Sequence, residues 1–303
     1  MLRITVGKNG EDYTTLQEAI NAVPYRTEAE IVVSAGVYTE KIFSDKDSLS
    51  IRGEGNAVIS WSDGGYEILD RNMKRGTFRS YTAFFSGRSL HLENLTIRNG
   101  AGDGHDAGQG IALYLDADDA VLENVRLLGH QDTLFLAPLP DEEREPNGFY
   151  GPRHLLPRER RRSIFRRCLI EGTVDFIFGG GDALFEDSEI RSAGPGYVTA
   201  PSGKKDWTGF VFSRCRFTSP LQMEGGVYLM RPWRKEGRSA FISCSFGRHI
   251  SPDAFIPWPG HEDEAHLCTF RLSGCTSDGD IRIEDEWKMD ADAAGALIRS
   301  FGS

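Results

Sequence analysis

The stretch LENLTI, residues 92–97, returns as LENVRL at 122–127, and its pattern continues down the chain. The form is an apolar residue, two mostly polar ones, a small or apolar residue, one facing out, then an apolar residue again. It recurs as Phe165-Arg-Arg-Cys168-Leu-Ile170, Phe185-Glu-Asp-Ser188-Glu-Ile190, Phe212-Ser-Arg-Cys215-Arg-Phe217 and Phe241-Ile-Ser-Cys244-Ser-Phe246. A weaker copy is read as Phe270-Arg-Leu-Ser273-Gly-Cys275. Short strands that return every ~20–30 residues, with turn residues between them, are the mark of a solenoid. Helical patterns between the copies are missing, which argues against a doubly wound α/β sheet. The connections are also longer than the hairpins of an antiparallel sandwich. The expected fold is all-β: a right-handed, single-stranded parallel β-helix in which each strand pairs with its counterpart one coil away.

The same register places Cys168, Cys215 and Cys244 in one column, as small buried hydrophobes rather than catalytic or metal-binding thiols. The segment TTLQEAINAV (14–23) has Thr15 and Glu18 at capping-box spacing and Leu16, Ile20 and Val23 on one helical face, so an N-terminal helix is expected to cover the first coil. The tail at 284–300 is read as helical. With no linker in sight, residues 1–303 are read as one domain.

Composition narrows the possibilities. A formal charge of −10 disfavours nucleic acid or an anionic membrane as the main partner. No uncharged apolar run approaches the ~18–20 residues of a transmembrane helix. Five cysteines without a metal-like CxxC pair argue against a disulfide framework. With no signal-peptide pattern at the start, a cytoplasmic location is favoured, with secretion after signal removal as the alternative.

Several motif-like stretches fail on inspection. There is no GxSxG nucleophile elbow. The histidines of HEDEAH (261–266) are five apart, not four, so they would not share a helix face around zinc. The glycines of 99–110 lack the Walker lysine and read as turns. DADDA (116–120) falls where Asp is an ordinary turn residue, and RERRRSIFRR (158–167) reads as a solvated charge run. No metal and no cofactor is expected.

What remains is a set of polar residues near the copies: Gln109 in GQGIALYL, Gln131 and Asp132 in GHQDTLF, Asp175 in GTVDFIFG, and Arg231 with Trp233 in YLMRPW. Equivalent positions on successive coils lie roughly 4.8 Å apart, so these distant residues can form one patch. Asp175 is read as lying in a short buried strand, where an unpaired carboxylate is costly. Two carboxylates, two amides, a guanidinium and an indole suit acyl transfer or glycoside chemistry.

At these residues the sequence resembles the pectinesterases (pectin methylesterases), with a bacterial-type cast. The family's ordered motifs are matched by GQGIAL (108–113), HQDTLF (130–135), GTVDFIFG (172–179) and LMRPW (229–233), and its opening by GKNGEDYTTLQEAINAVP (7–24). The resemblance implies that Asp175 is the nucleophile on a galacturonate methyl ester. It makes Asp132 the acid and then the base, Gln131 and Gln109 the oxyanion donors, and Arg231 the group that keeps Asp175 ionised. Trp233 would stack on sugar, and Phe176, Phe149 and Tyr150 would join it in binding substrate. The implied partner is methylated homogalacturonan or its oligomers. A related esterase or thioesterase, or a non-catalytic carbohydrate-binding β-helix, is the alternative. A polygalacturonase or pectate lyase would share the fold, but neither motif set is present.

Three departures from the family pattern stand out. Met230 replaces a glycine, and is expected to alter packing or a subsite. Gly179-Gly180-Gly181 lacks a side chain and would leave a subsite open. Residues 137–162 form an insertion, expected to sit beside the cleft as a binding loop.

Overall fold

The computed structural model describes residues 1–302 and contains twenty-two strands, joined by parallel pairing into one continuous stack. The register is that of a parallel β-helix. Leu92, Leu122, Phe165, Phe185, Phe212 and Phe241 pair in turn with one another from coil to coil. Four of these are phenylalanines that stack almost face to face inside the solenoid: 165 on 185 at 4.6 Å, 185 on 212 at 4.6 Å and 212 on 241 at 5.0 Å between ring centroids.

The third position of the repeat explains its shape. Asn94, Asn124, Arg167, Asp187, Arg214, Ser243 and Gly274 all have φ between 49° and 61°. One left-handed residue at this point bends the chain from one sheet face onto the next. Asn, Asp and Gly adopt that conformation most readily, and Asn124 also donates from Nδ2 to Asn94 Oδ1 at 2.7 Å.

The cysteines form the expected column. The thiols of Cys168, Cys215 and Cys244 donate to the carbonyls of Leu122, Phe185 and Phe212, at 3.3 to 3.4 Å. The last copy of the repeat is shifted by two residues from its sequence reading. Phe241 pairs with Leu272, not Phe270, so Cys275 rather than Ser273 takes the fourth position. Its thiol donates to the Phe241 carbonyl at 3.2 Å.

A helix over Leu16–Ala22 buries Leu16, Ala19 and Ile20 against the first strands, with Thr15 as its N-cap and a Thr15–Glu18 side-chain hydrogen bond of 2.7 Å. At the other end Trp287 and Phe255 pack on Phe270. The tail expected to be helical over 284–300 is instead a 3-10 turn at Asp285–Trp287 and a helix at Ala291–Arg299. That helix lies along the outside of the solenoid, where Ala294 and Phe301 cover Leu184, Val211, Ala240 and Ile242.

The two charged runs meet each other. Arg153 and Arg161 both bind the buried carboxylate of Asp116, Arg161 also binds Asp118, and Arg162 approaches Asp119 at 3.3 Å. Arg160 pairs with buried Asp182. The acids at 116–119 and the arginines at 153–162 are therefore one another's counterions and fasten the end of the insertion to the solenoid. Removing the partner of a buried acid such as Asp116 costs more than removing one of the outermost pairs, which are worth about 0–1 kcal/mol each.

A second aromatic ladder points outward. Phe84, Tyr114, Phe135 and Phe178 occupy one register column, and Phe78, Leu139, Phe149 and Trp233 pack over it. This covered outer face forms the wall on which the polar residues converge.

Candidate active site

Leu134 pairs with Ile177, so Asp132 and Asp175, each two residues before its strand begins, stand at the same position of adjacent coils. The Asp132 N–H donates to Val174 O at 3.0 Å and the Leu134 N–H to Phe176 O at 2.8 Å, which fixes that alignment. Asp175 is not inside a strand, as its apolar neighbours suggest, but at the bend before Ile177–Gly179. Its φ is 49° and that of Asp132 is 63°. Left-handed backbone at two non-glycine residues side by side is uncommon and costs roughly 1–3 kcal/mol each. It turns both carboxylates off the sheet and into one cleft.

Arg231 grips Asp175 with a fork: Nε donates to Oδ1 at 3.2 Å and Nη2 to Oδ2. The guanidinium is itself clamped, 3.6 Å from the Tyr197 ring centroid and 4.3 Å from that of Trp258. Stacking on two rings fixes the plane of the fork, which a lysine could not reproduce.

Gln109 and Gln131 line the same cleft, and neither side-chain amide has a hydrogen-bond partner among the described residues, so their N–H donors remain open. Gly104 makes room for Gln131: a Cβ there would lie 2.5 Å from its Oε1. The cleft, about 250 Å³, is completed by Phe78, Phe149, Phe178, Trp233, Arg144 and Trp258 among others. Trp233 packs on Phe149 and Phe178, with ring centroids 5.9 Å away in each case.

The two carboxylates differ in acidity for clear reasons. Burial pushes Asp132 well above the usual carboxylate range, and the negative charge of Asp175 adds to it, against a smaller opposing effect of Arg231. Burial raises Asp175 as well, but Arg231 and then Arg144 oppose it. The guanidinium expected to bring Asp175 down is outweighed by desolvation. The order survives: of the two, Asp132 keeps its proton to the higher pH.

Of the other residues singled out in the sequence, Phe176 has no exposed surface and belongs to the interior core, so it cannot meet a sugar. Tyr150 is exposed but faces a neighbouring depression with Arg79 and His154. Met230 is fully buried inside the solenoid, which makes its replacement of glycine a matter of packing rather than of a subsite. Of the glycines at 179–181, Gly180 lines an adjoining cavity of about 430 Å³, but all three are set by close backbone. A Cβ at each would lie 2.1, 2.8 and 2.6 Å from the carbonyl oxygens of Leu136, Pro138 and Ala137, so they admit the chain that begins the insertion. Sequence reading missed Tyr197, Trp258 and Arg144. Tyr197 was within reach, because it lies one coil beyond Asp175 in the same register.

Two adjacent carboxylates of unequal acidity, with open amide donors at hand, suit attack on a carbonyl and departure of an alcohol. The class that this cleft and fold define is a carboxylic ester hydrolase. The Pectinesterase family model matches residues 3–139 and 153–288, and the chain belongs to the pectinesterase family. Among its relatives, pectinesterase 31 of Arabidopsis thaliana is 30% identical over 98% of this chain and 90% of that protein. Probable pectinesterase/pectinesterase inhibitor 64 of the same plant is 32% identical over 85% of this chain but 43% of its own length. Among solved structures, pectin methylesterase PemA from Erwinia chrysanthemi shares the fold with a TM-score of 0.81 at 24% identity, over 99% of this chain and 96% of that one. A pectin methylesterase in complex with a hexasaccharide superposes equally well, with a TM-score of 0.81, 24% identity and the same coverage of both chains.

Proposed function

We propose that this chain removes methyl esters from methyl-esterified homogalacturonan or its oligomers through an acyl-enzyme on Asp175. The observation that carries the reading is the placing of Asp132 and Asp175 on adjacent coils with unequal acidity, since covalent catalysis by two carboxylates needs one charged and one protonated at the same pH. An oxygen of Asp175 attacks the C6 ester carbonyl, and the electron pair moves to the carbonyl oxygen. The amide N–H groups of Gln131 and Gln109 donate to that oxyanion; one such donor contributes roughly 2.7–4 kcal/mol. Asp132 gives its proton to the departing methoxide, which leaves as methanol and leaves a uronyl–aspartyl anhydride. The Asp132 carboxylate then takes a proton from water as it attacks the anhydride. This frees the galacturonate carboxylate and restores both aspartates. Arg231 keeps the Asp175 oxygens aligned, and Trp233 offers a face to the sugar.

A sugar-oligomer substrate is supported by the hexasaccharide held by the structural relative. Action inside a reducing compartment, on short imported oligomers, belongs to the same proposal and is supported by the five unpaired thiols. Finding the native protein in a secreted fraction would overturn that location.

The acyl-enzyme is tested by partitioning. Methyl and ethyl esters of the same galacturonate oligomer are hydrolysed in water containing a second, labelled alcohol. A common intermediate requires the same ratio of hydrolysis to transesterification from both esters. A ratio that changes with the leaving group would rule the intermediate out, and an absence of hydrolysis from either ester would rule out the esterase.

A further inference from the structure

Arg144 reaches both tryptophans of the catalytic cleft from a segment outside the family pattern. It lies in 140–152, the stretch that separates the two parts of the chain matched by the family model. Its Nη2 donates to Trp233 O at 2.7 Å, and its guanidinium carbon stands 4.4 Å from the Trp258 ring centroid. The same ring is one of the two that hold Arg231, whose guanidinium carbon is 4.3 Å from it. One indole is thus shared by the arginine that grips Asp175 and by an arginine of the insertion.

Trp258 has little else to fix its plane. It comes from a half-buried irregular stretch whose nearest strand-like contact is the bridge between Phe255 and Met230. Among the described residues its ring has no aromatic partner and its indole N–H has no hydrogen bond. Planar guanidiniums stack on such a ring, and the contact strengthens where water is excluded.

The insertion is built to hold Arg144 still. The carboxylate of Glu143 accepts from the N–H of Asn147 at 2.9 Å and from that of Phe149 at 3.0 Å, which closes the loop on itself. Phe149 is buried in the outer aromatic wall, and Arg234 Nη2 donates to Glu142 O at 2.8 Å. The residues just before Arg144 are therefore tied to the wall of the cleft. Arg144 itself forms no ion pair among the described residues, and Glu264 acts on it only from a distance. Its charge opposes the effect of burial on Asp175, after that of Arg231.

We propose that Arg144 is a positioning residue for the esterase reaction: by bearing on Trp258 it fixes the plane of Arg231, and with it the oxygens of Asp175. The insertion thereby completes the support of the nucleophile from outside the solenoid. This rests on the esterase reading given above, and one of its two tests needs no turnover.

Slow rotation about the Nε–Cζ bond keeps the two Nη nitrogens of a clamped guanidinium distinct in an NMR spectrum of isotope-labelled protein. The Arg231 signals are identified by their loss in Arg231→Lys. They are expected to be distinct in wild type and to merge in Arg144→Gln. Arg231 signals that are the same in the two proteins would overturn the proposal, whether or not methanol is released. Methanol release at saturating substrate, on the flat part of the pH profile, is then compared for Arg144→Gln, Trp258→Leu and the double variant, each checked for folding by circular dichroism. Each single change is expected to lower kcat by about tenfold or more, as for a reacting group moved out of line. The double variant is expected to fall no further than Trp258→Leu, because Arg144 acts through that ring. An unchanged kcat in Arg144→Gln, or single effects that multiply in the double variant, would overturn the proposal. No release by wild type, with the Arg231 signals merged in Arg144→Gln, would overturn the esterase reading and leave the positioning of Arg231 standing.

Discussion

Asp132 and Asp175 occupy the same position on adjacent coils, both with left-handed backbone, and only Asp175 has a guanidinium fork. The solenoid repeat does this work: 43 residues separate the two in sequence, and one strand spacing of about 4.8 Å separates them in the sheet. Their division of labour follows from what differs around them rather than from what they are.

Asp132→Asn is expected to abolish turnover and to raise stability at neutral pH. Burial raises the folded-state pKa of Asp132, so its protonated form favours folding at acid pH. That contribution is lost as pH rises through the folded value, where a charge must be held in the cleft. Asn removes the penalty and tolerates positive φ. The melting temperature of the variant should exceed that of wild type at pH 7–8, by roughly 2–4 °C for each kcal/mol recovered, and the gap should close towards pH 4. A gap that widens on acidification would show the opposite sign.

Replacing Arg231 by Gln should move the acid limb of the kcat/KM profile to higher pH. The cation opposes the effect of burial on Asp175, so its removal raises the carboxylate further and less of it is charged at a given pH. An opposite charge at contact distance is worth about 1–3 pH units. An unmoved limb would mean that Asp175 is not the group titrating there.

Trp233 and Phe176 should separate cleanly. Trp233→Ala is expected to raise KM for oligomers by about tenfold or more through lost ring stacking, since it stands at the cleft wall. Phe176→Leu lies in the interior core. It should leave KM within about twofold while lowering stability by ~1 kcal/mol, measured by denaturant unfolding. Equal KM effects would place Phe176 at the cleft after all.

The repeat was legible because each copy must present the same side chains to the same interior. Its third position was half legible: Asn94, Asn124 and Asp187 signal left-handed backbone, whereas Arg167 and Arg214 adopt it because the coil geometry demands it. The slip at the last copy arose because Phe270 and Leu272 are both apolar, and only pairing with Phe241 decides between them. The column that sets Asp132 beside Asp175 could be read from motif and register together. The Trp258 half of the clamp on Arg231 could not, because it comes from an irregular loop with no counterpart in the repeat. The setting of Gly179–Gly181 was likewise hidden, since the backbone that fills it belongs to the preceding coil.

The most direct test of the account is methanol release from methylated galacturonan by wild type and Asp175→Asn, compared side by side with matched folding. The account predicts release by wild type and a fall of about 10³-fold or more in the variant, as for loss of a covalent nucleophile. Equal rates for the two proteins would contradict it.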